Sequence, residues 1–505
     1  MLSRVLGLVR ETLIARAFGA SEMTDAFNVA FRIPNLLRRL FAEGAFSQAF
    51  VPILGEVNEK NGPIATKQLI SVVATLLFWS LLITVIIGVV FAPYLVLAIA
   101  SGFKSSTSYE MSVVLTRMMF PYIGFISLVS LAAGILNTNK NFLIPAFTPV
   151  LLNLGMITGS LIIAPYFTTP IYGLGLGVMI GGILQLALQV PALMRVGMMP
   201  QIHLGWKAIK DASKNTEAKR ILKLMVPAIF AVSVSQLSLI INTNIASHLM
   251  AGSVSWLSYA DRLMEFPTAL LGVAVGTVLL PSLSKANTMG DTRHSSELIH
   301  WGMRLTFLLS APAALALFLF GTPLAASLYH YGKFTALDVE MTRMALQAYG
   351  VGLIGLILIK ILAPGFYAKQ DIRTPVKIGI LVLIFTQCMN LVFVPYFQHA
   401  GLALSIGLGA CLNAALLWLG LVRKGALTIR GQGWWAFFLK LLIGLIVFGS
   451  VLFFGANHHD WIALGEKPLI RILLMLGWGG LAMVMYFIVL KICGFNYKEL
   501  LRHTH

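Results

Sequence analysis

The sequence predicts an all-α polytopic membrane protein with about 14 transmembrane helices, built as two six-helix lobes related by an internal repeat plus two extra C-terminal helices. Hydrophobic residues make up 58% of the 505 residues, charged residues only 11%, and the mean hydropathy is +0.85. Soluble proteins average about 25% charged residues, so the composition excludes a soluble domain. The apolar runs extend over about 20 residues, which is the length of a transmembrane helix and not of a barrel strand.

Apolar runs bounded by charged residues, Pro or Gly predict about thirteen spans, and residues 1–18 predict a further amphipathic helix. The spans are 25–54, 69–99, 111–136, 143–164, 171–194, 221–249, 256–283, 299–328, 344–367, 376–396, 400–421, 434–455 and 469–492. An even number of spans puts both termini on one side. The loops on that side hold most of the loop Lys and Arg, so the positive-inside rule predicts cytoplasmic termini. This bias also explains the net charge of +18 without nucleic acid.

The chain resembles itself at an offset of about 230 residues. The segment "AGILNTNKNFLIP" (133–145) aligns with "APGFYAKQDIRTP" (363–375), and "YGLGLGVMIGGILQ" (172–185) aligns with "AGLALSIGLGACLN" (400–413). The predicted divisions are a six-helix lobe at 1–196, a basic cytoplasmic linker at 197–219, a second lobe at 220–424, and two extra helices with a tail at 425–505. Two halves of one topology are typical of alternating-access transporters, which bind substrate between the halves. A duplicated scaffold is the alternative.

Charged side chains fall inside the predicted membrane layer, where each costs at least roughly 2.5–3.5 kcal/mol on insertion scales. At about 100° per residue, one face of the second helix carries Asp25, Arg32, Arg39 and Glu43 within about 40°. Arg38 points elsewhere unless Pro34 kinks the helix. The repeat-equivalent eighth span and the first helix carry the remaining candidates, which are Asp261, Arg262, Glu265, Arg4 and Arg10.

The first and second helices hold six arginines and three acids, so a surplus of arginine remains even if every acid is paired. A purely structural ion pair explains the i,i+4 neighbours Arg39 and Glu43 equally well. The surplus predicts a cationic cavity and an anionic, phosphate-bearing substrate, because guanidinium groups bind phosphate bidentately. The sequence contains no metal-ligand spacing, nucleotide loop or acid–base constellation, so we expect a transporter with no cofactor and no metal.

Several motifs closely resemble the MurJ (MviN) family of bacterial lipid II flippases, in the multidrug/oligosaccharidyl-lipid/polysaccharide exporter superfamily. They are "SRVLGLVRE", "TDAFNVAFRIPNLLRRLFAEGAFSQAFVPIL", "SVSWLSYADRLMEFP", "GTVLLPSLSK" and "LAPGFYAKQDIRTPVKI". The resemblance implies a protein of the inner membrane that moves lipid II, an undecaprenyl-pyrophosphate-linked disaccharide-pentapeptide, to the periplasmic leaflet by alternating access. It also implies a role in peptidoglycan biosynthesis, cell wall biogenesis and cell shape, with peptidoglycan-synthesis proteins as partners.

The resemblance also implies site residues. The family's essential cavity arginines match Arg4, Arg10 and Arg262, and its other functional charges match Asp25, Arg38, Arg39 and Glu43, with Asp261 and Glu265 beside Arg262. The last two helices of the family hold the polyprenyl tail in a hydrophobic groove. Family members carry a further apolar segment before the S-R-V-L-G motif, so we expect either a shortened first helix here or a misassigned start at Met1. A related exporter of another polyprenyl-linked oligosaccharide or of a drug is the nearer alternative, and a membrane enzyme or scaffold is the more distant one.

Overall fold

A computed structural model describes residues 2–41, 45–104, 106–428 and 433–495, and helices account for the regular structure of these ranges. The chain divides into two compact units, residues 1–254 and 255–505. Nine helices of the described ranges are long and apolar enough to cross a membrane. The predicted all-α, multi-pass class is therefore confirmed, whereas the count of 14 helices and the lobe boundaries stay predictions.

The first unit contains α1 (Leu2–Phe18), α2 (Glu22–Phe41), α3 (Ala45–Val90), α4 (Ala92–Ile99), α5 (Thr107–Met119), α6 (Tyr122–Thr138), α7 (Leu143–Thr158), α8 (Ile171–Val196), α9 (Trp206–Lys214) and α10 (Thr216–Ser247). Helix α11 (Ser253–Thr288) begins at the end of the first unit and continues into the second, which also contains α12 (Thr292–Leu319), α13 (Gly321–Tyr329), α14 (Ala336–Tyr367), α15 (Arg373–Arg423), α16 (Trp434–His458) and α17 (Pro468–Ile492).

Two of the long helices are interrupted inside their length. The backbone of Gly62 breaks α3 with φ 79°, within the predicted loop 55–68. The backbone of Gln398 breaks α15 with φ 52°, between the predicted spans 376–396 and 400–421. A positive φ ends the i→i−4 ladder locally, so α15 contains the two spans that the sequence predicts there. The predicted span 25–54 falls in α2 and the start of α3.

Local signals in the sequence define the helix ends. The Thr335 hydroxyl accepts from the backbone N–H of Asp338 at 3.2 Å while the Asp338 carboxylate accepts from that of Thr335 at 2.8 Å, a capping box that begins α14. Asp291 caps α12 through the backbone N–H of His294 at 2.8 Å. Gly197, with φ 71°, ends α8 in the left-handed conformation that costs glycine least.

The turns after α6 and α14 have the same backbone structure. Lys140 and Gln370, which the repeat alignment pairs, have φ 60° and 56°. The N–H of Asn141 donates to Leu136 O at 2.9 Å, and the N–H of Asp371 donates to Phe366 O at 3.0 Å. Both helices therefore end in the same hydrogen-bonded turn, although neither has glycine at the left-handed position.

Small residues set the distance between neighbouring helices in each unit. A Cβ on Gly173 of α8 would lie 2.5 Å from Ala164 Cα, and one on Gly401 of α15 would lie 2.6 Å from Phe393 O. Backbones can approach this closely only where the side chain is a hydrogen atom. In the first unit, α1 packs against α7, and α2 packs against α5 and α6.

Candidate functional site

Arg10 is the predicted site arginine that lies deepest in the first unit. Its residue exposure is 7%. One terminal nitrogen, Nη1, donates to Asn153 Oδ1 at 2.9 Å and lies 3.5 Å from Met156 Sδ. The other, Nη2, forms an ion pair with the neighbouring Glu11 carboxylate. The guanidinium is thus oriented from two sides, by an acid of its own helix and an amide of another.

Asn153 is a residue that sequence reasoning missed. It is buried in α7, where its amide nitrogen donates to Ser3 O at 3.1 Å while its amide oxygen accepts from Arg10. One side chain therefore connects the backbone at the start of α1 with the arginine two turns further on. A lone Asn in the otherwise apolar run "PVLLNLGMI" was the available signal, because an amide inside a membrane is expected to hydrogen-bond.

Arg4 lies on a different side of α1 from Arg10. Arg4 is exposed, whereas Arg10 is buried, and α1 is one helix from Leu2 to Phe18. The separation of about 120° expected for six residues of an ideal helix is consistent with this difference in burial. The assignment of Arg4 to the same site as Arg10 stays a prediction.

Asp25 binds a backbone group. It is 2% exposed, and its Oδ2 accepts from the N–H of Gly252 at 2.7 Å. Gly252 has φ 96° in the turn between α10 and α11, a conformation that favours glycine. A buried carboxylate that accepts a backbone N–H is a strong connection, so Asp25 ties the start of α2 to this turn. The predicted Asp25 stripe thus begins with a residue that holds two segments of the first unit together.

The arginines of α2 are half-buried. Arg38 donates to Asn35 Oδ1 through Nε at 3.2 Å and Nη2 at 3.0 Å, so its own helix orients it. Arg32 and Arg39 are also half-buried. Glu43, the predicted partner of Arg39, lies outside the described residues. The choice between an ion pair and a substrate role for Arg39 therefore stays open.

The second unit carries the predicted group of α11. Arg262 Nη1 lies 3.1 Å from Glu265 Oε2, and these side chains are 41% and 39% exposed, while Asp261 is half-buried. Exposed ion pairs contribute little to stability, typically about 0.2–1 kcal/mol. The Arg262 guanidinium can therefore exchange its carboxylate for another anion at small cost.

The numbers of arginines and carboxylates in α1 and α2 equal those predicted from the sequence, although one of the carboxylates is a different residue. Helix α2 begins at Glu22, three residues before the predicted start, so it includes one more acid than expected. Within the described parts of α1 and α2 there are six arginines and three carboxylates. Two of those carboxylates are engaged, Asp25 by a backbone N–H and Glu11 by Arg10. The surplus of arginine therefore remains.

A fully buried arginine of α17, Arg471, contacts the segment between α13 and α14. Arg471 of α17 is 0% exposed, and it donates to His330 O at 2.9 Å, His330 Nδ1 at 3.1 Å and Trp461 O at 3.4 Å. Its Cζ lies 4.8 Å from the centre of the Tyr331 ring. Burial and then the charge of Arg471 lower the pKa of His330, against the opposing carboxylate of Asp338. His330 is thus held as the neutral base that accepts from Arg471.

The opposite end of α14 carries an ion pair. Asp371 pairs with Lys424, and its carboxylate also accepts from the Thr374 hydroxyl at 2.7 Å and the Thr374 N–H at 3.0 Å. The hydrogen bonds from Lys424 and Thr374 hold the pKa of Asp371 well below its usual range. The loop after α14 is thereby connected to the end of α15.

A model of the family described as "Lipid II flippase MurJ" matches residues 14–470. A lipid II flippase MurJ of Burkholderia cenocepacia is 56% identical over 505 residues, which is 100% of this chain and 97% of the relative. The chain belongs to the lipid II flippase MurJ family. A probable lipid II flippase MurJ of Vibrio cholerae is 36% identical over 99% of this chain and 95% of its own length.

The solved structures agree with family membership. A lipid II flippase MurJ in an inward closed conformation matches with a TM-score of 0.81 and 26% identity, covering 99% of this chain and 98% of that one. An inward-facing multidrug resistance MATE transporter of the MOP superfamily matches with a TM-score of 0.69 at 14% identity, covering 84% and 94%. The second likeness concerns the fold alone. The predicted family is thus confirmed.

Proposed function

We propose that this chain is a lipid II flippase, which moves the undecaprenyl-pyrophosphate-linked peptidoglycan precursor from the cytoplasmic to the periplasmic leaflet of the bacterial inner membrane by alternating access. Full-length similarity to relatives named as lipid II flippases supports the substrate. The main structural support for a phosphate-bearing substrate is the burial of the Arg10 guanidinium, which an amide from another helix orients. Intramembrane ionisable residues of this kind are expected to serve a transport pathway.

A buried arginine suits a pyrophosphate group for two physical reasons. Its planar fork of N–H donors matches the geometry of phosphate oxygens, so one guanidinium makes two parallel hydrogen bonds. The low local dielectric strengthens these bonds relative to water. Asn153 donates nothing to Arg10 and only accepts, so it orients the guanidinium without neutralising its charge. Glu11 is the acid that the incoming anion would replace.

Arg262 is the proposed phosphate ligand of the second unit. Its exposed pair with Glu265 resembles a resting contact that an anion can replace. The other predicted charges, Arg4, Asp25, Arg32, Arg38, Arg39, Glu43 and Asp261, are proposed to shape the electrostatic surroundings of the headgroup. Among them Asp25 would act through the turn at Gly252 and not by touching substrate.

The proposed place of the polyprenyl tail is the outer surface of α16 and α17. These helices pack closely where Gly444 meets Tyr486 and where Gly455 meets Trp478, since a Cβ added to either glycine would lie 3.0 Å and 2.6 Å, respectively, from those rings. Their other faces expose large apolar side chains, including Leu476, which is 60% exposed. Each of these helices is 25 residues long, and an apolar surface along helices of this length suits an isoprenoid chain lying in the bilayer. The direction of transport and the cytoplasmic termini belong to the same proposal.

Replacing Arg262 with Ala tests the proposal directly. We expect the Arg262→Ala variant to insert normally but to lose lipid II translocation, measured by the accessibility of lipid II in each leaflet after depletion of the wild-type protein. Arg293→Ala is the matched control, because Arg293 is 91% exposed and pairs with Glu297 four residues further on in α12. Wild-type translocation by the Arg262 variant would overturn the proposed role, and loss in both variants would show that surface charge alone is responsible.

A further inference from the structure

A cavity of about 600 Å³ lies inside the second unit, where α12, α14, the second part of α15 and the first turns of α16 meet. Met303, Leu358 and Trp418 typify its apolar lining, to which His300 and Cys411 add heteroatoms. Cavities of roughly 300–1,000 Å³ with such linings are the usual size of small-molecule sites. None of the predicted site residues lines this cavity, so it is distinct from the proposed pyrophosphate ligands.

The polar group at one end of the cavity is already engaged. His300 Nε2 lies 2.7 Å from Thr428 O, and the indole N–H of Trp434 donates to His300 Nδ1 at 3.3 Å. Nδ1 accepts, so Nε2 carries the proton and donates to the carbonyl oxygen. Both ring nitrogens are therefore satisfied by the protein. A ligand needs no hydrogen-bonding group at this end, which favours a hydrocarbon.

The cavity extends along α14, one of the helices long and apolar enough to cross a membrane. Its lining on α14 extends from Val351 to Leu362, which is about 16 Å at 1.5 Å per residue. The hydrocarbon core of a bilayer is about 30 Å thick, so one leaflet accounts for about 15 Å. The extent of the lining along α14 is thus close to the depth of one leaflet. A single acyl chain has this length, whereas an undecaprenyl tail is several times longer.

The cavity also has a mouth on the surface of the spanning helices. Val351 and Phe438 in its wall are 44% and 39% exposed, and Ala415 is exposed beside them. Exposed apolar side chains on spanning helices suit contact with the hydrocarbon of the bilayer. Water in an apolar cavity finds no polar partners, and an empty cavity loses the dispersion contacts of its walls. A hydrocarbon chain from the neighbouring leaflet needs no polar partners and restores the dispersion contacts of the walls.

We infer that this cavity binds one acyl chain of a membrane phospholipid. The chain enters between Val351 and Ala415 and fills the space between α14 and α16. It thereby completes the packing of the first turns of α16 against the rest of the second unit. This hydrocarbon site is separate from the outer surface of α16 and α17 proposed for the polyprenyl tail, and it does not depend on lipid II being the substrate.

Photocrosslinking in nanodiscs tests the inference. The full chain is reconstituted with phosphatidylethanolamine that carries a diazirine near the end of one acyl chain, and labelled peptides are mapped by mass spectrometry. We expect label on the cavity-lining segments around Met303 and Trp418. Ala415→Trp should abolish this label by filling the mouth. Ala436→Trp is the matched control, because Ala436 is also exposed but does not line the cavity.

A second variant guards against misfolding of the first. Val351→Phe narrows the mouth from α14 and should also remove the label, with insertion of each variant checked by gel filtration in detergent. Absence of cavity label in the wild-type protein, or undiminished label in both blocking variants, would overturn the inference. Displacement of the phospholipid label by a polyprenyl phosphate would overturn the choice of occupant.

Discussion

Replacing Asn153 with Asp separates two roles that the structure gives this residue, support for the fold and orientation of Arg10. The amide oxygen of Asn153 accepts from Arg10 Nη1 at 2.9 Å in a buried setting. Aspartate has almost the same shape, so it can keep that hydrogen bond. It adds a negative charge directly against the guanidinium that is proposed to bind phosphate.

The size of the effect follows from the cost of breaking a buried ion pair. Removing one partner of such a pair typically costs about 3–5 kcal/mol. An incoming phosphate would have to displace the new carboxylate and leave it buried without its partner. Since each 1.4 kcal/mol is tenfold in affinity, we expect binding of the headgroup to weaken by about a hundredfold or more. The fold gains an ion pair with Arg10 but loses the hydrogen bond from the Asn153 amide to Ser3 O, so we expect its stability to change much less than headgroup binding does.

The assay measures both quantities on one preparation. Thermal unfolding in detergent reports stability, and binding of lipid II together with its translocation in proteoliposomes reports function. Asn139→Asp is the matched control, since the amide of Asn139 donates to Ile135 O of its own helix at 2.8 Å and contacts no arginine in the described hydrogen bonds. This control should be near wild type in both measurements.

One result would refute the reasoning. If the Asn153→Asp protein is as stable as the wild type and still translocates lipid II at the wild-type rate, Arg10 does not bind the headgroup. If instead the variant is strongly destabilised, Asn153 acts mainly through its second bond, in which its amide nitrogen donates to Ser3 O at 3.1 Å.

Three further predictions concern connections within the units. Asp25→Ala leaves the N–H of Gly252 without its acceptor, which should cost about 1–3 kcal/mol and lower Tm, whereas Asp25→Asn should recover part of the loss. Because the pKa of His330 is lowered on folding, the wild-type protein should lose stability below about pH 6.5, by at most about 1.4 kcal/mol per pH unit, and His330→Gln should flatten that part of the Tm profile. The lowered pKa of Asp371 means that its contact with Lys424 stabilises above about pH 4, so Asp371→Asn should lower Tm at pH 7 by the small amount typical of exposed pairs, and less as the pH falls below 4.

Each of these predictions has a result that contradicts it. Equal stability of Asp25→Ala and the wild type would show that the hydrogen bond to the turn contributes nothing. A Tm profile of His330→Gln that still falls below pH 6.5 in parallel with the wild type would assign the pH dependence to another group. A deficit of Asp371→Asn that stays constant between pH 7 and pH 3 would show that the carboxylate acts through shape and not through charge.

The membrane class, the helices and the excess of arginine were determined by the sequence. Apolar runs of about 20 residues and helix periodicity depend on neighbours three or four positions apart, so they can be seen in the order of residues. The turns after α6 and α14 also follow from the local sequence, because the aligned residues Lys140 and Gln370 have similar positive φ angles. The net positive charge of α1 and α2 likewise follows from the number of arginines and carboxylates in their sequences.

Tertiary structure alone decided which charges are engaged and by what. Asn153 meets Arg10 across 143 positions, and Gly252 meets Asp25 across 227. No periodicity links such distant positions, because packing of whole helices brings them together. The direction of the Asp25 carboxylate, toward a backbone N–H of a turn, could not be predicted, because every residue has the same backbone N–H except proline. The cavity beside α16 is likewise a property of the space between four helices, which no single segment contains.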